Sequence, residues 1–225
     1  MPTGIITGAS RGLGLALARS LAARDWDLVV DARNGEALRR LWFGDPQVLG
    51  LPGDIADERH RRALVEAAGE PIDLLVNNAS VLGPSPQPAL ANYPLDALRY
   101  VYEVNVGAPL ALVQLALPRM GAGARILNIT SDAGVEAYEG WGGYGSAKAA
   151  LEQLSAVLAA EHPELRIYAV DPGDMRTQMH QEAFPGEDIS DRPPPEASVP
   201  GLLDLLEGDL PSGRYRAREL VGVAA

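Results

Sequence analysis

The sequence predicts one α/β domain, a doubly wound parallel sheet flanked by helices on both faces. Apolar strand-like segments alternate with helix-like ones along the chain, which is the order of a parallel sheet. The strands are apolar without alternation, Leu74-Leu75-Val76 among them, as strands covered on both faces must be. The 225 residues contain no repeat and no linker, and this length suits a single domain burying roughly 70% of its unfolded surface.

The elements follow in order. Thr3 to Thr7 reads as a short strand, Gly8 to Gly14 as a glycine-rich turn, and Leu13 to Ala23 as a helix of small and apolar residues. Asp27 to Asp31 is a second strand, Gly35 to Leu41 a helix, and Gln47 to Leu51 a weak third strand. Asp57 is a candidate N-cap for a helix to about Ala68. Ile72 to Asn77 is a strong strand, and a proline-marked loop spans Gly83 to Pro88. Pro94 to Met120 is mostly helical, with an interruption expected near Gly107 to Pro109. Ala124 to Thr130 is a strand, Tyr144 to about His162 a helix, and Leu165 to Val170 a strand ended by Asp171-Pro172-Gly173. Phe184 to Pro200 carries three consecutive prolines and reads as a loop or lid within a substrate region 174–200. A short helix near Leu202 to Leu206 and a strand near Arg214 and Tyr215 follow.

Composition excludes several function classes. Thirty acids against nineteen Lys and Arg leave a net charge of -11, which repels nucleic-acid backbones and anionic membrane surfaces. With no cysteine, disulfides, thiolate metal sites and a Cys nucleophile are excluded. His60, His162 and His180 lack the spacing of a zinc-binding helix, so no metal is expected and each reads as a surface or helix-end residue. The N-terminus has no basic region followed by an apolar run, and no stretch approaches 18 uninterrupted apolar residues. A cytoplasmic location is the expectation.

Ligands of such sheets sit outside the carboxyl ends of the strands, and polar groups recur there. Thr7-Gly8-Ala9-Ser10-Arg11-Gly12-Leu13-Gly14 ends the first strand. Its glycines permit a sharp turn close to a pyrophosphate, and the next helix offers free N–H groups and a positive dipole end. Asn77 to Ser80 ends the fourth strand, and Asn128 to Ser131 the fifth. Tyr144 and Lys148 are four apart, on one helical face. There the ammonium can favour a phenolate by its charge, and a tyrosine so tuned exchanges protons nearer neutral pH.

In this order and at these separations the motifs resemble the classical short-chain dehydrogenase/reductase family, strongly from Thr3 to about Thr177. Thr7 to Gly14 matches T-G-x-x-x-G-x-G. Asp54, with Ile55 beside it, matches the acid that holds the adenine, and Asn77 to Ala79 matches N-N-A. Asn105, Ser131, Tyr144 and Lys148 match the catalytic positions, and Pro172, Gly173 and Thr177 match P-G-x-x-x-T. The resemblance implies a Rossmann-like fold in which Tyr144 is general acid or base. Lys148 lowers its pKa and binds the nicotinamide ribose. Ser131 polarises the carbonyl, and Asn105 holds a water linking Lys148 to solvent. It further implies that Gly8, Ser10, Arg11, Gly12, Leu13, Gly14, Asn78, Ala79 and Ser80 line the cofactor and that Thr177 meets its carboxamide. Ser80 departs from the usual glycine, and the C-terminal segment is short.

Asp31, ending the second strand, could bind a ribose 2'-hydroxyl and so favour NAD(H). Arg11 and Arg33 suit a 2'-phosphate. In the family the NAD-selecting acid stands one place later, where this chain has Ala32, and a basic residue where Arg33 lies goes with NADP(H). NADP(H) is therefore the expected cofactor, with NAD(H) the alternative. Val81, Leu82, Tyr138, Trp141, Met175, Met179 and Phe184 are candidate pocket residues, suited to an apolar or aromatic carbonyl or alcohol. The family often forms homodimers or homotetramers through helices that here are Pro94 to Met120 and Tyr144 to His162. A non-catalytic NADP-binding regulator with the same fold is the alternative function. An epimerase or dehydratase is disfavoured by the fifty or so residues left after Pro172.

Overall fold

A computed structural model describes residues 1–220 of the chain. Seven parallel strands form one sheet in the order β3-β2-β1-β4-β5-β6-β7: β1 (Thr3–Ile6), β2 (Asp27–Ala32), β3 (Val48–Pro52), β4 (Leu74–Asn77), β5 (Arg125–Ile129), β6 (Arg166–Asp171) and β7 (Gly213–Arg216). Winding starts at β1, runs outward to β3, then returns past β1 to β4. The β1/β4 boundary is therefore the point where strand order reverses, and a crevice opens there at the carboxyl ends.

Helices α1 (Gly12–Ala22), α2 (Gly35–Trp42) and α8 (Val199–Glu207) cover one face, packing Leu17, Leu21, Leu38, Leu202 and Leu205 on Ile6, Val30 and Val76. Helices α3 (Glu58–Ala68), α4 (Leu95–Tyr102), α5 (Ala108–Ala116) and α6 (Gly142–Glu161) cover the other, where Leu64, Val104, Leu112 and Leu158 meet Ile5, Leu75 and Ile126. Strands that bury both faces explain the unbroken apolar runs. Asp57 caps α3 as expected, accepting from Arg59 N–H at 2.8 Å. A buried chain, Asn77 Nδ2 to Asn128 Oδ1 and Asn128 Nδ2 to Ser155 Oγ, both 2.8 Å, ties β4 to β5 and β5 to α6.

Some boundaries differ from expectation. The interruption foreseen at Gly107 to Pro109 is a π turn over Glu103–Gly107, and helical geometry continues through it. Widening the turn accommodates Pro109, whose ring cannot follow an ordinary α ladder. The 25-residue run Leu95–Arg119 is long and apolar enough by composition to cross a bilayer, but it packs as a core helix on α3 and α6. Helix α6 starts two residues before Tyr144, since the Gly145 N–H already bonds Trp141 O. The sequence reading missed α7 (Gln178–Ala183), capped by Thr177, and the final turn α9 (Ala217–Leu220). It also took the start of α8 as loop, because Pro195 and Pro200 read as breakers although both sit in first turns where proline is tolerated.

Asn128→Ala should destabilise the protein by about 2–4 kcal/mol, since it strands the Asn77 amide and removes a donor from Ser155 inside the core. Urea unfolding followed by circular dichroism should show a lower midpoint with an unchanged m-value.

Candidate active site

The crevice holds a cavity of about 590 Å³ over the carboxyl ends of β1, β2 and β4, within the usual range for a ligand pocket. The glycine turn forms its floor and is clamped from both sides. From β4, Asn78 Nδ2 donates to Thr7 O at 2.8 Å and Gly8 O at 3.2 Å, while the Asn78 and Ala79 N–H groups donate to Thr7 Oγ1. From β2, Asp31 Oδ1 accepts the Gly8 N–H at 2.6 Å and Asp31 O accepts the Ala9 N–H at 2.8 Å. Gly8 and Gly12 take φ of +70° and +58°, a conformation that side-chain-bearing residues adopt at a cost. A Cβ on Gly12 would project into open cavity space, with only Thr177 within 4 Å. Helix α1 has neither a side-chain cap nor an acid in its first turn. Its first N–H groups and dipole are thus available to an anion. This cradle fits a dinucleotide pyrophosphate.

Every residue expected at the cofactor lines this cavity except Gly14 and Gly173. Gly14 is covered by Asn78 and Gly8, and Gly173 turns the chain at φ +73° beside Arg218. Of the four catalytic candidates, Tyr144 and Lys148 line the cavity; Asn105 and Ser131 do not.

Tyr144 and Lys148 share one face of α6, as their spacing requires, but their interaction differs from expectation. The Lys148 ammonium lies 5.4 Å from the Tyr144 ring centroid and donates to Ile129 O at 2.8 Å. Burial raises the phenol's pKa, Asp132 and Asp171 push the same way, and a hydrogen bond from Ser80 opposes them. Ser80 thus lies beside the phenol, with its hydroxyl directed to Asn105 Oδ1 at 3.1 Å. Burial also lowers the Lys148 pKa from 10.5 to about 8, opposed by the charge of Glu152.

Ser131 Oγ donates to Asp132 Oδ1 at 2.8 Å and accepts from Ala133 N–H at 3.2 Å, capping the turn Asp132–Gly134. Asn105 is 1% exposed and its carboxamide is bonded at both ends. Its Oδ1 accepts from Val81 N–H and Ser80 Oγ, and its Nδ2 donates to Val81 O. Both side-chain polar atoms of Asn105 are thus engaged by the loop after β4. Its backbone carbonyl has Pro109 four residues on, which has no N–H to give it.

At the other end of the cavity Arg33 donates to Tyr100 Oη at 3.3 Å, and Asp54 Oδ1 accepts the Ala56 N–H. Arg11 is hydrogen-bonded to Gln178, joining the glycine turn to α7. Of the candidate pocket residues, Val81, Met175 and Met179 line the cavity. Trp141 stands edge-on to Tyr144 with centroids 5.9 Å apart and packs on Phe184 at 5.8 Å, forming an aromatic wall behind the phenol. Tyr138 is 42% exposed and bonds to Asp132 and Glu136.

Sequence reasoning missed Tyr100, Arg176 and Gln178 in the lining. The last two flank Thr177, so that motif was the available signal. It also misplaced His60, whose ring is 9% exposed and pairs with Asp31. Its spacing of four from buried Leu64 was the signal for an inward face.

The comparisons agree with this geometry. A family model described as short chain dehydrogenase matches residues 3–188. A 3-oxoacyl-[acyl-carrier-protein] reductase of rhamnolipid biosynthesis from Pseudomonas aeruginosa is 32% identical, covering 98% of this chain and 86% of its own. Sepiapterin reductase of Bos taurus is 34% identical over 80% of this chain and 74% of its own. A short chain dehydrogenase from Shigella flexneri, solved in complex with NADP, superposes with a TM-score of 0.88 at 26% identity, covering 96% of this chain and 97% of that one. One from Escherichia coli, in complex with NADPH, gives 0.88 at 27% identity over 96% of each. Sheet order, glycine cradle and family match together make this chain a member of the short-chain dehydrogenase family, an oxidoreductase fold built to hold a nicotinamide dinucleotide.

Proposed function

We propose that the protein is an NADPH-dependent reductase of small apolar or aromatic carbonyl compounds, running the reverse alcohol oxidation with the same residues. The observation that carries this reading is a buried Tyr144 and Lys148 on one cavity wall, opposite a glycine cradle with Arg33 at its far end. The dinucleotide, when bound, supplies the hydride.

Tyr144 Oη gives its proton to the carbonyl oxygen as charge develops there, or takes it from an alcohol. Its raised pKa keeps the phenol protonated, which suits an acid in the reductive direction. The Lys148 ammonium stabilises the phenolate left behind, and the Ser80 hydroxyl can turn from Asn105 to join it. Ser131 orients the substrate oxygen by exchanging Asp132 for it. Lys148 also holds the ribose hydroxyls, and the Asn105 carbonyl accepts the water that returns a proton. Val81, Met179 and the Trp141–Phe184 wall exclude water and select an apolar substrate. The 174–200 segment, tied to the cradle through Arg11 and Gln178, is the substrate lid. Partly exposed Tyr102 and Val157 mark the helical faces through which we infer a homodimer or homotetramer.

Arg33 is the group for a 2'-phosphate: it stands just past β2 and reaches over the cavity to Tyr100. The NADP- and NADPH-complexed neighbours support that choice. The non-catalytic regulator is disfavoured because cofactor binding alone has no use for a buried Tyr144 phenol on the cavity wall.

Tyr144→Phe should cut carbonyl-dependent NADPH oxidation by at least ~10²–10⁴-fold while leaving NADPH affinity within about twofold by fluorescence titration. Turnover that survives the substitution would overturn the reading. Arg33→Ala should weaken NADPH by roughly 10- to 100-fold, the worth of a charge-assisted hydrogen bond, and barely change NADH. Lys148→Met should abolish turnover yet raise the thermal midpoint at pH 7 by a few degrees. It removes a buried ammonium whose lowered pKa corresponds to a cost of order 3 kcal/mol. Unfolded lysine keeps its proton to about pH 10.5 and the folded one loses it from about pH 8, so folding releases a proton between those values and wild-type stability rises with pH there. Melting curves across that window should show the rise in wild type and its loss in Lys148→Met.

A further inference from the structure

Asp31 is a buried carboxylate on the wall of the adenosine end of the cavity, 2% exposed. Asp31 is the last residue but one of β2; a carboxylate at this end of the strand can accept a ribose 2'-hydroxyl, and its charge repels a 2'-phosphate. Here each oxygen already holds a partner, and the side chain is almost wholly buried. Oδ1 accepts the Gly8 N–H at 2.6 Å, and Oδ2 lies 3.0 Å from His60 Nε2. A carboxylate only accepts, so Nε2 carries the proton, in a neutral or a charged ring. The imidazole reaches Asp31 because residue 53, next after β3, is glycine: a Cβ there would lie 2.2 Å from His60 Nδ1. No cluster of metal-ligating residues includes the pair among the described residues.

We propose that His60 is a cofactor-specificity residue. By holding Asp31 Oδ2, it withholds from the ribose the acceptor that an NADH 2'-hydroxyl would use. Its donated hydrogen bond also draws down the negative charge density that a 2'-phosphate on Arg33 would otherwise meet. The chain thus takes NADP(H) despite an acid at the end of β2. This inference rests on the NADPH assignment above.

The test is equilibrium binding of NADPH and NADH, by fluorescence titration, to wild type and three variants. His60→Leu fills the ring's space without a donor. It should weaken NADPH by about tenfold or more and tighten NADH, so the two move in opposite directions. His60→Gln keeps an N–H donor and should retain the wild-type ratio. His60→Leu with Asp31→Asn should regain NADPH preference, because Asn Oδ1 still accepts from Gly8 and carries no charge. Should His60→Leu fail to fold, His60→Ala, with room for a water beside Asp31, replaces it in both backgrounds. Equal losses for both cofactors, or a ratio that His60→Gln shifts as far as His60→Leu does, would overturn the inference and leave His60 a structural residue. A wild-type preference for NADH would instead overturn the NADPH assignment itself.

Discussion

The clamp on the glycine turn is the constraint on which the rest of the site depends. Six hydrogen bonds fix Thr7, Gly8 and Ala9 between Asn78 and Ala79 after β4 and Asp31 of β2. These bonds are buried or half-buried and are therefore costly to break without replacement. They span the place where the sheet reverses its strand order, so the crevice floor is set by three strands at once. The open N-terminus of α1 is aimed by the same bonds.

From that floor the remaining groups are placed by packing. The Asn77–Asn128–Ser155 chain fixes α6 against β5, and α6 carries Tyr144 and Lys148 into the cavity wall. Asn105, at the π turn between α4 and α5, holds Val81 and Ser80 by three hydrogen bonds. The widened turn and Pro109 thus serve one purpose, presenting an asparagine to the loop after β4. Burying an ammonium and a phenol together costs stability, which the large apolar core can offset. The candidate site residues and the structural scaffold are for this reason the same residues seen from two sides.

Much of this was legible in the chain. The 3.6-residue and unbroken apolar patterns gave strand and helix order, because both faces of a parallel sheet must be covered wherever it runs. The glycine spacing and the four-residue step from Tyr144 to Lys148 are local geometry, so they placed themselves. What misled were residues whose partners are far away in sequence. His60 reads as exposed until Asp31 and Gly53 are brought beside it, across 29 and 7 positions. Asn105 reads as a free polar side chain until Val81 claims its amide. Ser131 and Lys148 match the motif in identity, but their hydrogen-bond partners are chosen by neighbours that the motif does not mention.

The sequence by itself determined the fold class, the position of the cradle and the identity of the groups around it, since these follow from periodicity and from backbone demands made within a few residues. Only the tertiary structure decided what each polar side chain bonds to. It turned Ser131 toward Asp132, brought Ser80 to the phenol, and paired Asp31 with His60. Hydrogen bonds and burial are settled between distant segments, and pKa shifts follow from them, so no stretch of sequence carries that information alone.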